Sequence, residues 1–292
     1  MTSTQYFFKL VLLTFLCIRS FENTAMRIGL IAGNGQFPII FSKAAKTKGY
    51  AVYAVAHNNE TDPELKDYVD AIEWIHVGQI KRIIKFFKKN HISQAVLIGG
   101  ITKTRMFSDV RPDTKAISLI AGMRNTHDDG LLRRFAKVLE KEGVEIQAST
   151  FLLPDLLAQP GCWTKRNPSR SETKDIELGW NLAKEIGRLD IGQCVVVGGG
   201  SVLAVEAIDG TDATIRRGGR LGKKTAVVVK VCKPSQDVRF DIPAVGVQTI
   251  RTMHEAGVTV LVIEAAKSVV FDREEMINLA DEFGIAIVAM EK

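Results

Sequence analysis

Lysine, glutamine and aspartate crowd into one short segment, KPSQDVRFDIPAVG (Lys233 to Gly246), that follows an apolar run. In and just before it stand the cations Lys230 and Lys233, the neutral hydrogen-bonder Gln236, and the carboxylates Asp237 and Asp241. Upstream, VEAIDGTDATIRR (Val205 to Arg217) repeats the mixture, with Glu206, Asp209 and Asp212 ahead of Arg216 and Arg217. Cations suit phosphate oxygens and carboxylates suit a hard divalent metal ion. A metal-assisted reaction on a phosphate ester needs both. Two polar loops of solvated charges would also account for each segment taken alone. Asp241 stands apart because Phe240, Ile242 and Pro243 surround it, which biases its backbone toward extended geometry. A carboxylate in such company either pairs with a cation, here Arg239 or Lys230, or holds a metal, since an unpaired buried charge is too costly.

Three other loops carry ligand-binding residue types. GNGQFP (Gly33 to Pro38) follows a strand and opens a helix, a setting in which backbone N–H groups and the helix dipole bind phosphate. It is not a dinucleotide fingerprint, because Pro38 stands where the third glycine is needed, and a purely structural turn with proline in the first helical turn explains it equally well. GGITKTRMFSDVRPD (Gly99 to Asp113) turns basic on leaving a strand, placing Lys103 and Arg105 near the sheet edge where open α/β sheets bind ligands. Asp128 and Asp129 open a helix, where capping competes with metal or ribose binding. The glycines of VVGGGS (Val196 to Ser201) read as a hairpin turn.

The elements that must position these residues read as α/β throughout. From Met26 onward, strands at Ile28 to Gly33, Ala51 to His57 and Ala95 to Gly100 alternate with helices, including IKRIIKFFKKN and DDGLLRRFAKVLEKEG. This predicts a parallel, Rossmann-like sheet over residues 26–155. Pro154 to Pro168 has the composition of a connector, and 156–168 is read as the linker. Beyond it, a second α/β domain over 169–292 combines a helix at KDIELGWNLAKEIGRLD, a strand pair at CVVVGGGSVLAVEA, a strand at TAVVVKVCK and further alternation to the end. Residues 1–25 contain an apolar run, KLVLLTFLCI, of signal-peptide length. An export signal and a start codon placed upstream of the true one both explain it. The second reading is adopted, and the segment is set aside.

At 292 residues, 46% hydrophobic and 25% charged, the chain matches a soluble globular enzyme of two domains. A net charge of +6 favours anionic partners such as phosphorylated metabolites or an anionic lipid surface. With 7% aromatic residues and no basic run interleaved with aromatics, nucleic acid is not an expected partner. Cys17, Cys162, Cys194 and Cys232 show no metal-ligand or disulfide spacing, and reduced thiols in a cytosolic protein are expected.

At these motifs the sequence resembles the UDP-2,3-diacylglucosamine pyrophosphatase family of the LpxI type, which serves lipid A biosynthesis in Gram-negative bacteria. GLIAGNGQFP, DDGLLRRFAKVLEKEG, EIGRLDIGQ, VLAVEAIDGTDATIRR and KPSQDVRFDIPAVG stand in family order, and the likeness runs from about Met26 to the C-terminus. The resemblance implies a Mg²⁺-dependent hydrolase that cuts UDP-2,3-diacylglucosamine into UMP and 2,3-diacylglucosamine 1-phosphate (lipid X). It implies two α/β domains with the lipid held in a cleft between them, at the cytoplasmic face of the inner membrane as a peripheral protein, and it admits a homodimer. Asp241 falls on the family's essential aspartate. Gly35, Asp128, Thr211, Arg216, Lys233 and Gln236 fall in matching motifs as substrate-binding candidates. The extension before Met26 departs from the family pattern.

Residue types and resemblance together lead to a mechanistic expectation. Asp241, with Glu206 or Asp212, holds Mg²⁺ against the pyrophosphate, and Lys233 and Arg216 clamp phosphate oxygens. The Ile80 to Phe87 helix is weighed as a membrane-docking face against ordinary core packing, and core packing is favoured. An NAD-dependent oxidoreductase is the first competing reading, weakened because Ala56, His57 and Asn58 stand where a ribose-binding acid is needed. A non-catalytic lipid or nucleotide carrier is the second, and differs only in lacking turnover.

Overall fold

The computed structural model describes residues 26–101, 110–121, 128–222 and 225–292. Residues 1–25, Lys103 and Arg105 lie outside these, as do the side chains of Asp128 and Asp129.

In the first half, β1 (Met26–Ala32), α1 (Phe37–Thr47), β2 (Tyr50–His57), β3 (Ala71–Ile75), α2 (Ile80–Lys89) and β4 (Gln94–Ile98) follow one another, with only a short 3-10 turn at Pro63–Tyr68 between β2 and β3. Two helices, α3 (Thr114–Ala121) and α4 (Asp128–Lys141), then precede the short β5 (Glu145–Gln147). The five strands form one parallel sheet in the order β3-β2-β1-β4-β5, so the chain reverses direction across the sheet between β1 and β4. Alternation along β1 supplies both faces. Ile28, Leu30 and Ala32 pack with Phe41 and Ala45 of α1, while Ile31 packs with α2, α3 and α4. All five apolar residues of the Ile80 to Phe87 stretch are buried in that second cluster, so α2 is a core helix and not a docking face.

The second half adds β6 (Gly161–Cys162), α5 (Arg170–Arg188), β7 (Cys194–Gly198), β8 (Ser201–Val205), α6 (Thr211–Leu221) and β9 (Ala226–Lys230). There follow β10 (Ala244–Val245), α7 (Val247–Ala256), β11 (Val258–Glu264), β12 (Val269–Val270), α8 (Arg273–Glu282) and β13 (Ala286–Met290). A mixed six-stranded sheet runs β6-β13-β11-β9-β7-β8, and β10 pairs with β12 separately. Helices α6, α7 and α8 cover one face of the large sheet, and α5 covers the other through Ile176, Trp180 and Ala183. The molecule therefore comprises two α/β domains, as the alternation of elements leads one to expect.

Local sequence explains several of these placements. Ser169 and Glu172 form a reciprocal capping box that starts α5. Gly199 and Gly200 both take positive φ in the β7–β8 hairpin, where two such residues match the strand twist. Two glycines inside α6 cost helix stability, yet a Cβ at Gly218 would lie 2.5 Å from that of Val196. Gly218 lets α6 settle directly on β7, and Gly219 lets it approach Ala256 of α7.

Two differences from the sequence reading have clear causes. AIEWI forms β3, although four of its five residues are only half-buried, because β2 provides it with an edge to pair against. The stretch expected to be a linker is partly built into the second domain. Its Gly161–Cys162 pairs antiparallel with β13, and Ala158 is buried in the second domain's core.

One residue of the second half of the chain is built into the first domain's core. Phe240, from the segment after β9, is 8% exposed and packs in the first domain's cluster with α2, α3 and α4. Truncating such an aromatic leaves a cavity, so Phe240→Ala should lower the unfolding free energy by about 3–5 kcal/mol. Urea denaturation followed by circular dichroism will check this, and a loss below about 1 kcal/mol would contradict the packing described.

Candidate active site

Lys230 ends β9 at the same sheet edge as Glu264, the last residue of β11. From there the chain loops through Lys233 to Asp241 before reaching β10. Gln236, 9% exposed, organises this loop with both ends of its amide. Its Oε1 accepts from the Lys233 backbone N–H at 2.8 Å, and its Nε2 donates to Asp241 Oδ2. The backbone N–H groups of Phe240 and Asp241 both donate to Asp237 O, at 2.9 and 3.2 Å, which closes the loop as a compact turn. Lys233 Nζ meets Asp190 at 2.7 Å, and a Cβ at Gly187 would press on Lys233 Cα at 3.2 Å. Gln236, Lys233 and Asp241 are thus brought together, as their shared motif suggests.

The first domain holds this loop from the other side. Arg239 Nη2 donates to Asp237 at 2.9 Å, and its Nη1 reaches Glu140 of α4 at 3.3 Å. Arg133, also on α4, donates to the Ser235 carbonyl and faces Asp237 at 3.6 Å. The hydrogen bonds from Arg239 hold the Asp237 carboxyl below its ordinary range. Arg239 is therefore engaged with Asp237, and Lys230 Nζ with the Ala244 carbonyl at 2.9 Å.

Gly35 takes φ +85° in the loop after β1, with open space where a side chain would stand, and Pro38 is buried in the first turn of α1. The neighbouring Gln36 lines a cleft of about 420 Å³ together with Ala244, Gly246, Thr249, Phe271 and Asp272. This cleft joins the glycine loop of the first domain to the stretch just beyond Asp241. Phe37 and Phe271 pack edge to face across the domain boundary, with ring centroids 5.1 Å apart. His57, at the end of β2, is turned inward, its Nδ1 2.9 Å from Ala32 O, and burial lowers its pKa.

The VEAIDGTDATIRR segment lies differently from the expectation. Glu206 is 7% exposed, and its two oxygens accept from Thr211 Oγ1 at 2.6 Å and from the Gln193 backbone N–H at 2.9 Å. It ties the start of α6 to the residue that leads into β7. Burial and then Glu206 raise the Cys194 thiol, and burial and then Glu264 raise the Cys232 thiol. Among the described residues, no three His, Cys, Asp or Glu side chains gather where they could hold a metal ion. The expected ligands Asp241, Asp212 and Glu206 are therefore not members of one three-carboxylate cluster. Mg²⁺ needs only one or two carboxylates when phosphate oxygens and water complete its shell, so Asp241 alone fits that requirement. Arg217 pairs with Asp209, while Arg216 lines a separate open groove along α6 with Ala213, Arg217, Arg220 and Leu221. Thr211, Asp212 and Arg216 all lie on α6, with Thr211 at its start.

Sequence reasoning passed over Asp190, Lys184 and Glu264. Asp190 lies in EIGRLDIGQ, and its positive φ of 58° marks a tight turn, but nothing in the pattern points it at Lys233.

Comparison with known proteins matches the sequence to one family over both domains. The LpxI N-terminal domain matches residues 27–156 and the LpxI C-terminal domain residues 159–288. UDP-2,3-diacylglucosamine pyrophosphatase LpxI of Caulobacter vibrioides is 34% identical over 277 residues, covering 91% of this chain and 98% of that protein. Likeness to solved structures is slight. The ADP complex of N5-carboxyaminoimidazole ribonucleotide synthetase aligns with TM-score 0.27 and 16% identity, over 69% of this chain and 45% of that one. The biotin carboxylase domain of Hydrogenobacter thermophilus 2-oxoglutarate carboxylase aligns with TM-score 0.26 and 15% identity, over 60% and 35%. Superpositions this loose carry no argument about the fold or the site. The two domain matches and the near full-length relative do, and the chain belongs to the LpxI family.

Proposed function

We propose that this chain hydrolyses the pyrophosphate bond of UDP-2,3-diacylglucosamine in lipid A synthesis. Water is added across one P–O bond, giving UMP and 2,3-diacylglucosamine 1-phosphate. The observation that carries this reading is the full-length match to the Caulobacter pyrophosphatase, together with the fixed Lys233–Gln236–Asp241 turn at the domain boundary.

In this reading the cleft beside Gln36 and Gly246 receives the substrate, with the glycine loop offering backbone N–H groups to phosphate oxygens. Gln236 fixes the Asp241 carboxylate so that it need not reorganise when charge develops nearby. Lys233, held by Asp190, is a point charge on the same turn and attracts the anionic pyrophosphate. Mg²⁺ bound at Asp241 would neutralise charge on the pyrophosphate and activate water. The Cys232 thiol is pushed up to about 11 by burial and then by Glu264, which disfavours the thiolate. A lipid substrate calls for peripheral association with the cytoplasmic face of the inner membrane, in keeping with the net charge of +6.

Asp241→Asn should reduce UMP release from UDP-2,3-diacylglucosamine by about 10²-fold or more while leaving the circular dichroism spectrum unchanged. A near-normal rate in the folded variant would overturn the assignment. If wild type and variant both bind the lipid without turnover, the protein is a carrier. Chelation of divalent ions should abolish release and added Mg²⁺ should restore it; full activity in excess chelator would remove the metal from the mechanism. Because Glu206 serves the start of α6, Glu206→Gln should lower the melting temperature yet leave the Mg²⁺ concentration for half-activation within about twofold. A large shift in that concentration would restore Glu206 as a metal ligand.

A further inference from the structure

We infer that Lys184 and Glu264 are positioning residues for Asp241, gripping the peptide from which the catalytic segment leaves the sheet. The inference rests on the function proposed above.

Glu264 is 2% exposed, a carboxylate buried at the end of a central strand. Its Oε2 accepts from Lys184 Nζ at 2.5 Å and from the Cys232 backbone N–H at 3.0 Å, and its Oε1 accepts from Lys267 Nζ at 3.0 Å. The same Lys184 Nζ donates to the Cys232 carbonyl at 2.9 Å. Both polar groups of one residue's backbone are thus taken by the two members of a single ion pair. Strand pairing does not reach this far, since β9 ends at Lys230 and pairs with β11 no further than Lys230 opposite Ile263. Side chains from α5 and β11 replace the missing ladder and fix where the chain turns away.

The grip passes to Asp241 through two further contacts. Lys233, the next residue, gives its backbone N–H to Gln236 Oε1, and the other end of that amide donates to Asp241. An error in the placement of Cys232 is therefore carried directly to the carboxylate. A buried pair is a costly way to gain stability, because desolvation offsets most of the attraction. It is an effective way to fix a direction, since carboxylate and ammonium must both be aimed to satisfy each other and the peptide between them. Small misplacements of reacting groups cost rate steeply, on the order of 10²-fold for about 1 Å.

The test uses the full chain carrying Glu264→Gln, Lys184→Met or Lys184→Arg, with two readouts. In steady-state hydrolysis of UDP-2,3-diacylglucosamine, Glu264→Gln and Lys184→Met should lower kcat about 10-fold or more with KM within about twofold. Lys184→Arg should recover most of that loss, and Glu264→Gln should cost nothing further in an Asp241→Asn background. In amide hydrogen exchange, residues 233–241 should exchange at least about 10-fold faster in Glu264→Gln, with the strands of the first domain unaffected. Unchanged kcat together with unchanged exchange in 233–241 overturns the inference, as does a loss of protection spread evenly over both sheets, which would mark a purely structural pair. Should Glu264→Gln not fold, Lys184→Met supplies the same two readouts. A wild type that releases no UMP refutes the proposed reaction, while the exchange measurement still decides whether the pair holds the segment.

Discussion

Everything at the candidate site depends on a nine-residue turn that belongs to neither domain alone, Lys233 to Asp241. Its entry is tied to the second domain by the Lys184–Glu264 pair, and its exit is tied to the first by Phe240. A loop free at either end would sample many directions for its carboxylate, and ordering it would cost about 1–2 kcal/mol per residue. Here that ordering is completed by folding. The same turn carries the guanidinium of Arg239, stacked 4.8 Å from the Phe240 ring and bonded to Asp237, so its interior is braced as well as its ends.

The two sheets contribute different things to this arrangement. The parallel sheet of the first domain brings the glycine loop to its carboxyl edge at the point where the strand order reverses, the place where such sheets bind ligands. The mixed sheet of the second domain brings the charged ends of β9 and β11 side by side. The small β10–β12 pair then carries the chain from Asp241 toward the cleft, with Phe271 N–H bonded to the Val245 carbonyl and its ring set against Phe37. Surface ion pairs such as Arg239–Glu140 add little energy by themselves. Their value lies in orienting α4 toward the turn.

Much of the fold is legible in the sequence because apolar runs such as IGLIAG and AVVVK are long, β-branched and bounded by turn residues. β3 escapes that reading since Glu73 and Trp74 interrupt its pattern, and the two-residue strands β6, β10 and β12 are too short to leave any pattern. At the site, the segment holding Lys233, Gln236 and Asp241 is recognisable since its members are close along the chain. Lys184 and Glu264 are 80 residues apart and meet only once α5 has packed on the sheet. Glu206 shows the opposite failure: its charge is plain in the sequence, but whether that charge faces a metal or a helix start is decided by the fold. Composition names the residues able to do chemistry, and tertiary contact selects among them.

The insertion of Phe240 has a further consequence for how the protein is made. As the chain leaves the ribosome, the first domain's strands and helices are complete long before residue 240 is synthesised. Its core must wait, lacking one aromatic ring, until β9 of the second domain has emerged. During that interval an apolar vacancy lies open beside α2 and α4, a surface that chaperones recognise and that invites association with other nascent chains.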